Sequence, residues 1–348
     1  MTDEFTAYPL RLSYGVRRYA FGDRAIPELL GKADVPEGVV AETWEVSDHD
    51  DEPATVLNGT YRGTALRELV TDYPDALVRP GWRGSRLPLL VKFLDAKHML
   101  PVHVHPDDER AMALYGEPNG KDEAWHVLWA EPGASVLVGL RPGLSRASVR
   151  AALLGRAYDE IMVRHPVRVG DTVDVPGGVL HSFGPDLLIL EVQQTSDLAE
   201  SAMPDDLYGG ELPRARWEAN VDATLELLTS DVRPRPSALQ VLHEDDAHRR
   251  SLGCRNERFV LERWTLRGSL PARPGEGGFV TLTNLGDALT IEYAGGREGV
   301  ERASSRLLPA SLGEVILHPQ GNGEVVLCFE PGPDGDVPSG DLESGNEM

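Results

Sequence analysis

Short apolar runs, repeatedly broken by Gly, Pro and Asp, set the rhythm of this chain, and most of them are too short for helices. The pattern predicts strands over Tyr14–Phe21 and Ala41–Ser47 and a short helix over Ala25–Leu30. Thr64–Val70 carries apolar residues at helical spacing, with Thr64 placed as N-cap. Leu87–Asp95 reads as a near-continuous apolar strand in which Lys92 either snorkels outward or faces a lumen. Met99–His105 reads as a strand, Pro106–Tyr115 as a helix opening on Pro and acids, and Glu123–Trp129 as the next strand. Ser135–Gly139 follows as a strand, then Ser145–Gly155 as an amphipathic helix capped by Ser145 and stopped by Gly155. Further strands are predicted over Pro166–Val169, Thr172–Val175 and Leu187–Gln193, a polar loop over Asp197–Gly210 and a helix over Trp217–Leu228. A Pro-Arg linker at Arg233–Pro236 precedes a second strand-rich module, with runs at Arg258–Leu266, Gly278–Asn284, Leu289–Tyr293, Ser305–Pro309, Gly313–Leu317 and Glu324–Phe329. Residues 331–348 hold acids, Pro, Gly and Ser without a basic residue and read as a disordered tail.

Many short strands and few helices make the fold mainly β. The expected division is 1–197, a helical connector over 198–237, a second module over 238–330 without a metal set, and the tail. Chemistry concentrates in the first module. His103 and His105 stand two apart in a predicted strand, so period-two geometry points both imidazoles to one face. Glu123 opens the next strand, and His181 follows a Pro-Gly-Gly turn. Three imidazoles and one carboxylate are a first-row metal set, suited to Zn, Fe, Mn, Ni or Co. Glu191 interrupts the apolar run Leu187–Gln193, where a carboxylate is costly unless it is paired, lines a wet cavity or does chemistry. The acidic loop His49–Glu52 and the lone His318 are read as a solvated loop and a structural histidine.

Charge narrows the partners. The chain carries 56 acidic against 34 basic residues, a net charge of −22, with no basic stripe, which argues against nucleic acid or an anionic membrane. Lysine occurs only at Lys32, Lys92, Lys97 and Lys121, and the last three lie in or beside the metal-bearing stretch. Two cysteines, Cys254 and Cys328, make no disulfide framework and read as buried thiols in a reducing compartment. With no leader-like or membrane-spanning apolar run, the cytoplasm is the expected location.

The spacing Gly170–Pro176–Gly178–His181 resembles the second motif of the cupin superfamily, with Pro185 where an Asn usually ends it. His103-x-His105 followed by Glu123 resembles the first, with a longer insertion. That likeness implies two cupin-like jelly-roll barrels with a few short helices. Several further pieces, ETWEVS at 42–47, LPLLVKFLDA at 87–96, VHVHPDD at 102–108, GKDEAWH at 120–126, VPGGVLHSF at 175–183 and ILEVQQTSD at 189–197, are similar to the short bacterial form of class I phosphomannose isomerase. The resemblance implies a zinc-dependent aldose–ketose isomerase of the mannose-6-phosphate/fructose-6-phosphate type, with a sugar or sugar phosphate as partner. It places the ligands on His103, His105, Glu123 and His181, the first of which is usually Gln in that family. It also places Lys121 and Glu191 in the catalytic machinery, and Lys92 is added as a contact to substrate. The family's Arg ten residues after that Glu falls on Ser201 here, so Arg214 or Arg216 would have to fold back to supply a cation. Alternatives are a non-catalytic sugar-binding or regulatory cupin, an isomerase of an unphosphorylated sugar, and a metal-dependent oxygenase.

Overall fold

A computed structural model of the chain describes residues 4–229, 232–273 and 277–332. It is mainly β and falls into two compact units. One comprises Ser13–Ala54 and Arg86–Gln240. The other joins the described residues up to Leu12 and Thr55–Ser85 to those from Val241 onward. This grouping departs from a division in chain order, and residues 198–240 pack with the first unit rather than standing as a separate connector.

The first unit holds two antiparallel sheets. Its strands are β1 (Gly15–Arg17), β2 (Glu42–Val46), β3 (Leu89–Ala96), β4 (His103–Val104), β5 (Glu123–Ala130), β6 (Ser135–Leu140), β7 (Met162–Pro166), β8 (Asp171–Val175), β9 (His181–Phe183), β10 (Leu187–Gln194), β11 (Glu200–Ser201) and β12 (Ser237–Ala238). One sheet runs β1-β2-β3-β10-β5-β8-β12 and the other β11-β4-β9-β6-β7. Trp125, Val127, Val173, Val175 and Ile189 from the first meet Val136, Val138 and Phe183 from the second in a dry core. Successive strand residues point to opposite faces, so the face that carries Leu187 and Ile189 into this core also carries Glu191, and the face of Leu94 and Ala96 carries Lys92. Register completes the alignment: Glu191 lies opposite Lys92 on one side and Trp125 on the other. In the second sheet one row reads Ser201, His103, His181 across β11, β4 and β9.

Some elements differ from the sequence reading. The strand expected over Met99–His105 shrinks to His103–Val104. The helix expected from Pro106 starts at Asp108, capped by Asp107, and turns into a π-helical stretch at Ala111–Tyr115. Thr64 caps nothing with its side chain, since the N-cap of Leu66–Asp72 is Ala65. The strand placed at Pro166–Val169 lies earlier, at Met162–Pro166. Ser145 does cap its helix, accepting from the Ser148 N–H. Helix Arg214–Leu227 buries Trp217, Val221 and Leu225 against Val102, Val104, Val149 and Leu153.

In the second unit a six-stranded sheet (Gln240–Glu244, His248–Arg255, Val260–Leu266, Gly323–Phe329, Val280–Asn284, Ser304–Leu308) accompanies a four-stranded one (Leu270–Ala272, Val315–Pro319, Leu289–Tyr293, Gly296–Val300). Val260, Leu282, Ile291, Leu317 and Val325 share its core. His318 contacts Ser269 and Glu292. Cys254 and Cys328 are buried. From residue 333 on, the acidic tail lies outside the described residues. Among those described, no helix is long and apolar enough to cross a membrane.

Candidate metal centre

Three imidazoles are aimed by the backbone. His103 Nδ1 lies 2.7 Å from the Pro101 carbonyl, His105 Nδ1 2.7 Å from that of Leu198, and His181 Nδ1 2.8 Å from that of Val179. A carbonyl only accepts, so each Nδ1 carries the proton and each Nε2 presents a lone pair inward. Those lone pairs meet without protons between them. The Nε2 atoms of His103 and His181 are 2.9 Å apart. Glu123 adds its oxygens, Oε1 at 3.2 Å from His181 Nε2 and Oε2 at 3.3 Å from His105 Nε2.

Burial pushes the pKa of His103 and His181 down to about 3 and that of His105 to about 4, so all three stay neutral near pH 7. Glu123 stays well below its ordinary value despite burial, because Lys121 and the histidines favour its anion. The Lys121 ammonium reaches Glu123 and His105, but the facing Nε2 lone pairs of His103 and His181 repel unless a further cation lies between them. The donor set therefore fits a divalent metal, and its N/O character suits zinc or another late first-row ion. Trp125 Nε1 donates to Glu123 Oε1 at 3.0 Å and fixes the carboxylate from behind.

Beside this cluster lies a cavity of about 180 Å³, lined among others by Lys92, Lys121, Glu191, Asp197, Glu42 and Ser201. Lys121 Nζ sits 2.8 Å from Glu123 Oε2 and 3.1 Å from His105 Nε2. Burial acts to lower its pKa, but Glu123, Glu191 and Asp197 raise it, so it remains an ammonium. Lys92 settles the earlier alternative by facing the lumen: it is 2% exposed and lies within 3.8 Å of Glu42, Glu191 and Asp197, under the Trp44 ring. Glu191 Oε1 is buried without a hydrogen-bond partner, 3.8 Å from either lysine. Burial, reinforced by Glu123 and opposed by Lys121 and Lys92, lifts the Glu191 pKa to about 7.

Two glycines let the motifs meet. A Cβ on Gly120 would fall 2.4 Å from Asp107 C, and one on Gly177 2.7 Å from Asp107 N and Pro106 O. The loops before Glu123 and His181 thus press on the backbone just after His105, and Gly178 N donates to the His105 carbonyl at 2.7 Å. Gly177→Ala is expected to cost about 1–3 kcal/mol by overpacking against rigid backbone and to weaken metal binding. Urea unfolding with and without chelator checks both effects, and an unchanged midpoint would refute the close-packing claim.

The structure thus gathers His103, His105, Glu123, His181, Lys121, Glu191, Lys92 and Ser201. It leaves Arg214 out, correcting that expectation. The Arg214 guanidinium pairs with Glu218 at 2.6 Å and stacks over Trp217 on an exposed helix face, and neither it nor Arg216 lines the cavity. Glu42 and Asp197 had not been singled out. Both sit inside recognised motifs, Glu42 two residues from Trp44 on an inward-facing strand, which was the available signal.

A family profile, phosphomannose isomerase type I, catalytic domain, matches residues 10–125. Mannose-6-phosphate isomerase of Streptococcus mutans is 34% identical over 191 residues, covering 55% of this chain and 59% of that protein. A putative mannose-6-phosphate isomerase of Bacillus subtilis is 31% identical over 231 residues, covering 64% of this chain and 72% of that protein. Among solved structures, mannose 6-phosphate isomerase from Bacillus subtilis superposes with a TM-score of 0.82 at 22% identity, over 93% of this chain and 100% of that one. A putative mannosephosphate isomerase from Archaeoglobus fulgidus gives 0.74 at 21% identity, over 94% and 99%. With the converging donor set, these similarities establish that the chain belongs to the type I phosphomannose isomerase family.

Proposed function

We propose that this chain is a metal-dependent aldose–ketose isomerase of a phosphorylated hexose, interconverting mannose 6-phosphate and fructose 6-phosphate. The observation that carries the reading is a four-acceptor cluster opening onto a cavity that also holds a buried ammonium and a carboxylate poised near neutrality. Zinc is the proposed ion, with Mn, Fe, Co and Ni sharing the donor preference. His103, His105, Glu123 and His181 would hold it, and when bound it supplies Lewis-acid polarisation of a sugar oxygen.

The chain's own groups do the rest. Isomerisation moves a proton between adjacent carbons, and a base is most effective with its pKa near the working pH. Glu191 fits that role: its Oε1 carries no hydrogen bond and borders the cavity. Lys121 orients a sugar oxygen and offsets negative charge that develops on it. Lys92 holds Glu191 and Asp197 in register from the opposite side. Buried wall residues such as Phe21, Leu94 and Phe183 exclude water from the reacting carbons.

Ser201 favours one second reading, a sugar-binding protein that has kept its metal ligands and lost catalysis. Its Oγ accepts from the Met203 N–H at 3.2 Å, and no described arginine is among the residues that line the cavity. Deuterium exchange separates the two. Zinc-loaded protein in deuterated water should place deuterium at C1 or C2 of the hexose phosphates. Tight binding without exchange would establish the binder instead.

A further inference from the structure

We propose a second divalent-metal site, outside the family's catalytic cluster, on the hairpin at the start of the second unit and held by His243, Asp245 and His248. The hairpin joins Gln240–Glu244 to His248–Arg255, and the three ligand atoms lie within 4.8 Å of one another. The imidazoles of His243 and His248 stack with centroids 4.6 Å apart and planes inclined by 22°. His243 Nε2 stands 3.0 Å from Asp245 Oδ2, and His248 Nδ1 stands 3.0 Å from Asp245 Oδ1.

A hydrogen-bonded triad does not account for this geometry. Asp245 Oδ1 already accepts from the Ala247 N–H at 2.8 Å and the His248 N–H at 2.7 Å, which occupies both of its lone pairs. His248 is 2% exposed, and its Nδ1 is buried without a hydrogen-bond partner although it points into the cluster. Leaving such an atom unmatched in a buried position is costly. A cation bound by the Nδ1 lone pair removes that penalty. The same two backbone N–H groups then orient the carboxylate from behind, as outer partners orient metal ligands elsewhere. Arg267 steadies the turn by donating to the Asp245 carbonyl at 2.8 Å.

Two imidazoles and a carboxylate favour Zn, Co, Ni or Cu over Mg or Ca. His243 and Asp245 are each about two-fifths exposed on their side chains, at 46% and 42%, so remaining positions on the ion face water. The ion would pin the two strands of the hairpin together at their turn.

The test uses the full-length chain, stripped of metal and titrated with Co(II). Visible absorption follows coordination, and equilibrium dialysis with elemental analysis counts ions. Wild type should take up two equivalents. His243→Asn, an exposed position that folding tolerates, should retain one, with the second weakened at least tenfold. A His103→Ala/His181→Ala variant should lose the other equivalent and keep the one that His243→Asn removes. If that variant fails to fold, the wild-type and His243→Asn comparison decides alone. Equal uptake by wild type and His243→Asn, or no second equivalent at about 0.1 mM free Co(II), would overturn the site.

Discussion

Glu191→Gln is expected to lower hexose-phosphate turnover by about 10²–10⁴-fold, the usual contribution of a positioned acid–base group. The amide keeps the shape of the side chain but can no longer accept a proton. The surrounding charges tolerate the change. Lys92 keeps Glu42 at 3.7 Å and Asp197 at 3.6 Å, and Lys121 keeps Glu123 at 2.8 Å. The loss should therefore fall on kcat and on kcat/KM together, with KM little altered, as for an interaction needed only in the transition state. Kinetics over the two substrates, paired with a thermal melt of the variant, would show it. A variant that retains its turnover within a few-fold would remove Glu191 from the chemistry.

The metal-free protein should lose stability steeply on mild acidification. His103, His105 and His181 have folded pKa values of about 3 to 4, below their ordinary 6.5. As pH falls below 6.5 the unfolded chain therefore binds protons that the folded chain refuses, and stability drops. Glu191 acts with the opposite sign. Its pKa of about 7 exceeds the ordinary 4.5, so between those values the folded form holds the extra proton and gains stability as pH falls. Glu123, held well below its ordinary value, adds to the loss only below about pH 4.5. The histidine contribution outweighs that of Glu191, so stability falls between roughly pH 6 and 5. Urea midpoints of chelator-treated protein at pH 7, 6 and 5 measure this slope. A flat or rising midpoint would show that the histidines are not buried neutral. Zinc should raise the midpoint at pH 7 and lose that effect as protons compete for the same nitrogens.

Period-two patterning carried most of this site. His103 and His105 could be put on one side of a strand, and Glu191 and Lys92 stood out as charges inside runs otherwise built of Leu, Val, Ile and Phe. Strong apolar strands were likewise placed within a residue or two, and Leu289–Tyr293 needed no adjustment. Polar strands escaped notice. His248–Arg255 carries three arginines and a histidine among its eight residues, and its inward alternation shows only once its partner Val260–Leu266 is known. Arg214 illustrates another limit. Distance along the chain says nothing about which side of a helix faces out, and an Arg four residues before Glu218 found its counter-ion locally. Nor does sequence order reveal that Thr55–Ser85 belongs with residues far downstream.

That last arrangement governs where the polypeptide tolerates cutting. Phe279 N donates to the Val78 carbonyl, Ala310 N to Leu77 and Ser311 N to Ala76, while Leu10 and Leu307 exchange backbone hydrogen bonds. A recombinant fragment ending near Arg233–Pro236 would keep the ligands of the metal cluster, yet it would strip Leu10, Ala76, Leu77 and Val78 of the backbone partners they have in the intact chain. Such a fragment invites aggregation, whereas circular permutation, which keeps every segment, preserves the pairing.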